Sequence, residues 1–515
     1  MRRCLLFWRK AKTDFCAHWG ISLIQWGLWW LVFSVFFSAI WIRQKFGFPT
    51  FNQFLFHIQL GYHGLLAAEY YTIKSYVVSC VILPGLGALA TASGAVTTIK
   101  NVAAFDRRIR NIIIAAPITC LALSCAFLLN QVSFFAYAES LAGEDYFSGH
   151  FKDPKTVSLT EKNPRNLVLI YVESLDAAYS DPKIFGKDLL HSLDGPAIHG
   201  ISFNEYNQAP GTNWTIAGIV STQCGVPLEI ITVYDRNVQG EKLNAFMPGA
   251  VCLGDVLSDY GYQNIFMGGA GLSFAGKGQF FKDHHYAERY GRDEWAAQGD
   301  KEEDMSGWGL HDDDLFRHAE TKLDSLEASG RRFNLTLLTL DTHYQGTEKL
   351  SKTCAKRGVK SFEDLVECTA DQVADFITYT RQKGYLNNTD IVVLGDHLAM
   401  SNPVIDKLTR VPERHIFNLF VSNNIPHKRR EDIVHFDLFP TILDFIGLHV
   451  QKSQMALGYS GFSATEPAGH SGRLADMRRD LLHPSPLYYD LWKYPEVSYG
   501  RDSSARASPV PVGSI

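Results

Sequence analysis

The chain has 515 residues, 46% of them hydrophobic and 20% charged, and a formal net charge of −5. That length accommodates a membrane part together with a large globular domain. No basic patch interrupts the near-balanced charge, so nothing points to a nucleic-acid partner.

The apolar residues are concentrated at the N-terminus. Trp19 to Ile42, Ser75 to Ile99 and Asn111 to Ala138 contain no charged residue. Each run exceeds the ~20 helical residues that cross a hydrocarbon core. Residues 1–139 are therefore expected to form a membrane region with three helices, at about 19–42, 75–99 and 111–138. Arg2, Arg3, Arg9, Lys10 and Lys12 precede the first run, and Lys100, Arg107, Arg108 and Arg110 separate the second from the third. The positive-inside rule places both groups in the cytoplasm and everything after about residue 139 outside. Cysteine usage agrees. The extramembrane part holds Cys224, Cys252, Cys354 and Cys368, an even number that allows three pairings. Pairing by proximity joins Cys224 to Cys252 and Cys354 to Cys368; the alternative is four free core thiols.

Residues 140–165 are polar and read as a linker. An extracytoplasmic domain is expected over 166–500, and a disordered tail, rich in Ser, Pro and Gly, over 501–515. The domain opens on Asn166-Leu-Val-Leu-Ile-Tyr-Val172, a continuous apolar run that predicts a strand buried on both faces. Similar runs lie at Tyr262 to Met267, Phe333 to Leu340, Asp390 to Leu394 and Ile416 to Val421. Helical patterns separate them, at Ala250 to Tyr260, Asp313 to Ala328, Phe362 to Lys383 and Asp437 to Gly447. The fold class expected is α/β, a mostly parallel sheet flanked by helices.

Ligands of such sheets bind beyond the carboxyl ends of the strands. Glu173 ends the first strand, Asp341 and His343 end another, and Asp396 and His397 a third. Between them lies Gln208-Ala-Pro-Gly211, turn chemistry followed by Thr212 and a helical pattern. A hydroxyl at a helix start is either an N-cap, at Thr212 or Thr215, or the occupant of an anion site. Two carboxylates, an imidazole and a hydroxyl suit one divalent cation. The oxygen ligands favour Mn²⁺ or Mg²⁺, and the imidazole tilts the choice towards Mn²⁺ or Zn²⁺.

On the segments Tyr171-Val-Glu-Ser174, Pro210-Gly-Thr-Asn-Trp-Thr-Ile-Ala-Gly218, Phe274-Ala-Gly-Lys277, Gly307-Trp-Gly309, Asp341-Thr-His343 and Gly395-Asp-His-Leu-Ala-Met400, the sequence resembles the phosphoglycerol transferases of the alkaline-phosphatase/sulfatase superfamily. Within these it is more similar to the branch that decorates periplasmic glucans than to the lipoteichoic acid synthases. The resemblance implies an alkaline-phosphatase-like fold in a bacterial inner membrane protein with several spans and its catalytic domain in the periplasm. It implies Thr212 as the nucleophile, directly after Pro-Gly, and Glu173, Thr212, Asp396 and His397 as ligands of one Mn²⁺. It further implies His343 as a catalytic group, Lys277, Phe274, Trp214 and Ser401 as substrate contacts, and Thr215 as a plain helix residue. Lys277 stands where the synthases carry an Arg, so it can neutralise a phosphate without a bidentate fork. The implied reaction moves phosphoglycerol from phosphatidylglycerol to a glucan acceptor through a phosphoglyceryl-threonine. A phosphoethanolamine transferase or a phosphodiesterase is the nearest alternative, and an inactive membrane-anchored sensor a more distant one. A sulfatase would need a Cys/Ser-x-Pro-x-Arg sequence, which Pro210 to Thr215 lacks.

Overall fold

The computed structural model describes residues 2–46, 51, 70–102, 107–194, 198–229, 245–343, 349–400, 402–463 and 470–493. Ser401 and the tail 501–515 lie outside these residues.

Three helices are long and apolar enough to cross a membrane, over Ser22–Gln44, Ile73–Ala95 and Asn111–Gln131. The first lies within α1 (Arg2–Phe46). The second runs through a wide π-helical turn at Val77–Ile82 into α2 (Leu83–Val102), and the third lies in α3 (Arg107–Gln131). Trp side chains of α1 satisfy carbonyls around the wide turn. Trp30 Nε1 donates to Val81 O (2.9 Å) and Trp26 Nε1 to Gly85 O (3.1 Å). Such bonds matter where no water can replace them. The third helix stops seven residues short of Ala138, because Ser133 takes a left-handed conformation (φ 53°) and a separate helix starts at Phe134.

Residues 140–165 are built into the globular part rather than strung out from it. Tyr146 and Phe147 are buried, the Phe147 ring edge-on to Tyr488 at 5.4 Å, and Leu159–Glu161 pairs antiparallel with Leu448–Val450. Two aromatic anchors outweigh the surrounding polar residues.

Among the described residues the main sheet has seven strands: β1 (Asn166–Val172), β2 (Gly200–Ile201), β3 (Gln263–Gly268), β4 (Tyr286–Tyr290), β5 (Phe333–Leu338), β6 (Thr389–Gly395) and β7 (Asn418–Val421). Their order across the sheet is β2, β7, β6, β1, β5, β3, β4. The five from β6 to β4 are parallel, and β7 is antiparallel to both of its neighbours. All seven residues of β1 are buried, as a strand covered on both faces requires. One core lies on each face of the sheet. The helices that bear on the site are α4 (Thr215–Cys224), α5 (Leu253–Asp259), α6 (Lys277–Asp283), α7 (Asp312–Ser329), α8 (Phe362–Gln382) and α9 (His435–Phe445). Helix α4 is buried from Ile216 to Cys224 and packs on α9. Its last residue, Cys224, is disulfide-bonded to Cys252, and a second disulfide joins Cys354 to Cys368.

Candidate active site

The register of the sheet assembles the site. Val172 of β1 lies opposite Gly395 of β6, so the residues that follow, Glu173 and Asp396-His397, leave the sheet side by side. Ser174 turns the chain sharply at that point with a left-handed backbone (φ 56°). Its N–H donates to Asp396 Oδ1 (2.7 Å) and its hydroxyl to Glu173 Oε1 (2.7 Å). Glu173, Asp396 and His397 are all buried, and their ligand atoms lie within 4.8 Å of one another. His397 Nδ1 meets the Leu398 carbonyl at 2.9 Å, so Nδ1 carries a proton and Nε2 is the nitrogen turned to the cluster. Nε2 points between Glu173 Oε1 and Asp396 Oδ2, 3.5 Å from each.

The electrostatics describe a cluster short of positive charge. Burial works against ionised Glu173, but the His397 and His343 imidazoles beside it hold its carboxyl well below the usual carboxylate range. Burial and the Glu173 charge push Asp396 up to about 7. Burial also opposes charge on His397, yet the two carboxylates raise it to about 9. Asp396 Oδ2 and His397 Nε2 are buried without a hydrogen-bond partner. Unpartnered buried acceptors converging on one point fit a divalent cation, and the donor set of two carboxylates and an imidazole suits one.

Helix α4 starts at this cluster. Thr215, its first residue, donates its hydroxyl to Glu173 Oε2 at 3.1 Å. The first helical bond is Gly218 N to Trp214 O, so the N–H groups of residues 215–217 lack helical partners. Thr212 is placed differently. It is fully buried and its hydroxyl donates to Ala209 O at 2.7 Å, not to any of the three clustered residues. The Pro-Gly turn folds Thr212 back on its own loop, the helix begins three residues later, and the hydroxyl bonded to the cluster is that of Thr215.

Glu173, Trp214 and Thr215 line a cleft together with Phe274, Lys277, Trp308 and His343. Lys277, the first residue of α6, is buried, makes no salt bridge among the described residues, and lies 5.6 Å from the centre of the Phe274 ring. Burial draws its pKa down to about 8, against the pull of Glu173 and Asp396. Burial likewise lowers His343 from its ordinary value. Asp341 is not part of the cluster. Its carboxylate meets His311 Nδ1 at 2.6 Å, while Thr342 beside it donates to Glu173 O at 2.6 Å and so ties the segment to the site. Two further groups lie in sequence motifs that gave them no individual role. His435, at the start of α9, meets Asp396 O at 3.0 Å through Nε2, and Trp308 packs on His343.

Residues 165–448, more than half of the chain, match the family model described as Sulfatase. The chain belongs to the sulfatase family. This family member is 31% identical over 451 residues to a phosphoglycerol transferase I from Escherichia coli, an alignment covering 84% of this chain and 57% of that relative. It is 32% identical over 376 residues to a phosphoglycerol transferase I from Shigella flexneri, covering 71% of this chain and 47% of the relative. The chain thus spans about half the length of the curated relatives it matches. Among solved structures, the family fold is similar to the lipoteichoic acid synthase LtaP from Listeria monocytogenes, with a TM-score of 0.46 at 17% identity over 60% of this chain and 80% of that one. A protein of the alkaline phosphatase superfamily from Vibrio parahaemolyticus gives 0.47 at 19% identity, over 65% and 78%.

Proposed function

We propose that this chain is a membrane-anchored phosphoglycerol transferase. It moves phosphoglycerol from phosphatidylglycerol to an extracytoplasmic acceptor, a glucan, at the outer face of a bacterial inner membrane. The observation that carries this reading is the Thr215 hydroxyl on Glu173, at a helix start, in a cleft that also holds Lys277 and His343. The names of the relatives support the same donor chemistry.

In this reading the Thr215 oxygen attacks the phosphorus of the donor. The bond to the diacylglycerol oxygen breaks, and His343, kept neutral by burial, passes the proton it takes from the Thr215 hydroxyl to that leaving oxygen. The phosphoglyceryl group then rests on Thr215 until an acceptor hydroxyl displaces it. Lys277 offsets charge on the phosphoryl oxygens, as do the free N–H groups at the start of α4. Glu173, Asp396 and His397 would hold one divalent cation, Mn²⁺ in this reading, which supplies positive charge that favours the ionised hydroxyl. Phe274 and Trp214 shape the wall around the headgroup, and Ser401 is proposed as a further headgroup contact. The apolar helices keep the site near its lipid donor.

The test is to incubate the purified full-length protein with phosphatidylglycerol labelled in its headgroup glycerol, and with candidate glucans. Label is expected on the glucan, with equimolar diacylglycerol. Turnover of phosphatidylethanolamine in place of phosphatidylglycerol would overturn the donor, and label released only as free glycerol phosphate would overturn the acceptor.

A further inference from the structure

We propose that Trp308 is a positioning residue for His343: it fixes the imidazole in the cleft, so that proton delivery to the leaving oxygen depends on both rings. This rests on the role given to His343 above. His343 Nδ1 is buried and has no hydrogen-bond partner, so no polar contact at that atom sets the rotation of the ring. The Trp308 ring packs against it, edge-on at 4.5 Å between centroids and 61° between planes. Behind it stands Phe274, edge-on to Trp308 at 5.4 Å, and Lys277 lies over the Phe274 face. Lys277, Phe274, Trp308 and His343 thus form one contiguous row along the wall of the cleft.

The turn that bears Trp308 is itself rigid. Ser306 Oγ accepts from Trp308 N (3.2 Å) and Gly309 N (3.1 Å), and Ser306 N donates to Gly309 O (2.8 Å). Arg292 Nη1 donates to Gly307 O (2.8 Å) and Leu310 N to Gly269 O (3.1 Å), which anchors the turn to the end of β3. Gly309 has φ 151°, and a Cβ there would lie 2.1 Å from Gly269 O. A solvent-facing Trp needs no such support. These bonds hold a large flat ring at a fixed height in the cleft, and the group it meets there is His343. A misplacement of one ångström in a reacting group costs roughly 10²-fold in rate.

The experiment is a double-mutant cycle on the full-length protein in detergent, scored by diacylglycerol release. Trp308→Ala is expected to lower kcat by roughly 10²-fold while KM for phosphatidylglycerol changes by less than about threefold. In a His343→Ala background the same change is expected to cost less than about threefold, because the ring it orients is gone. Trp308→Phe, which keeps an aromatic edge, is expected to restore most of the rate and serves in the same cycle if the Ala variant does not fold. Equal losses in the wild-type and His343→Ala backgrounds would overturn the proposal, as would an unchanged kcat in Trp308→Ala. If the wild-type protein releases no diacylglycerol from phosphatidylglycerol, the donor assignment fails instead. The cycle is then run on the phosphodiester it does cleave, and the coupling is read there.

Discussion

Gly218, in the first turn of the buried helix α4, lies directly beneath the backbone of Asp396: a Cβ on Gly218 would stand 2.0 Å from the Asp396 carbonyl oxygen. The helix that carries Thr215 and the loop that carries two of the clustered side chains are therefore in backbone contact. His435 of α9 donates from Nε2 to the same carbonyl at 3.0 Å, so the Asp396 main chain is fixed by two helices at once. Backbone does not yield as a side chain would. Gly218→Ala is expected to destabilise the protein by about 1–3 kcal/mol and to lower turnover by more than that loss of folded protein explains. Urea unfolding and activity per folded molecule separate the two effects.

Thr215 and Thr212 should behave differently when changed. Thr215→Ala removes the hydroxyl that faces Glu173, and no phosphoglycerylated enzyme should form. Thr212→Ala removes a hydrogen bond to Ala209 O and should cost about 1 kcal/mol of stability with the chemistry retained. Peptide mass spectrometry after trapping with labelled donor reads the modified residue directly. A label on the Thr212 position would reverse the assignment.

The cluster of Glu173, Asp396 and His397 should bind one divalent cation per chain. Removal by a chelator is expected to abolish turnover and lower the melting temperature. A cation held at a hundred times its Kd contributes about 2.7 kcal/mol. Asp396→Asn should eliminate that metal-dependent stabilisation. Metal content by elemental analysis, with and without the variant, checks both statements.

Lys277 sets a pH limit. Burial lowers it to about 8 from an ordinary value of 10.5. Its folded-state pKa lies below its unfolded one, so the folded protein prefers the neutral amine, and this site disfavours folding at pH below about 8. That cost is relieved as pH rises from about 8 towards 10.5. Activity runs the other way, since the cation is needed for the phosphate. The free-enzyme profile, kcat/KM against pH, should fall above about pH 8. Lys277→Arg should extend the plateau to higher pH, because a guanidinium stays charged. A limb at the same pH in wild type and variant would assign it to another group.

Much of the fold was legible because burial on both faces leaves a mark that needs no partner to be read. Asn166 to Val172 is apolar throughout, and the structure places it as the strand that brings Glu173 to the site. The sheet edge was not legible: Tyr286–Tyr290 carries Glu288 and Arg289 among its aromatics, and only its first residue is buried. The third membrane helix ran long in the sequence because hydropathy does not register a single left-handed residue such as Ser133. In the site, residue type and strand-end position identified Glu173 and Asp396-His397, since register does the rest. The helix start was less legible, because a Pro-Gly turn reads as the beginning of a helix at Thr212 while the helix begins at Thr215. A glycine inside a helix costs about 1 kcal/mol relative to alanine, and Gly218 was the signal that backbone would approach there. Trp308 had a motif but no readable role, which only the packing on His343 supplies.

Helix α4 begins at the Thr215 hydroxyl and its tenth and last residue is a cysteine whose sulfur is bonded to Cys252. Such crosslinks persist only where thiols are oxidised. Both ends of one short rod are thus spoken for, one by chemistry and one by compartment. A chain still facing a reducing cytosol would carry every residue of the site and lack the clasp that holds its reacting helix in register. Reduction of that one bond is then expected to free the far end of the rod while leaving every residue of the cluster in place.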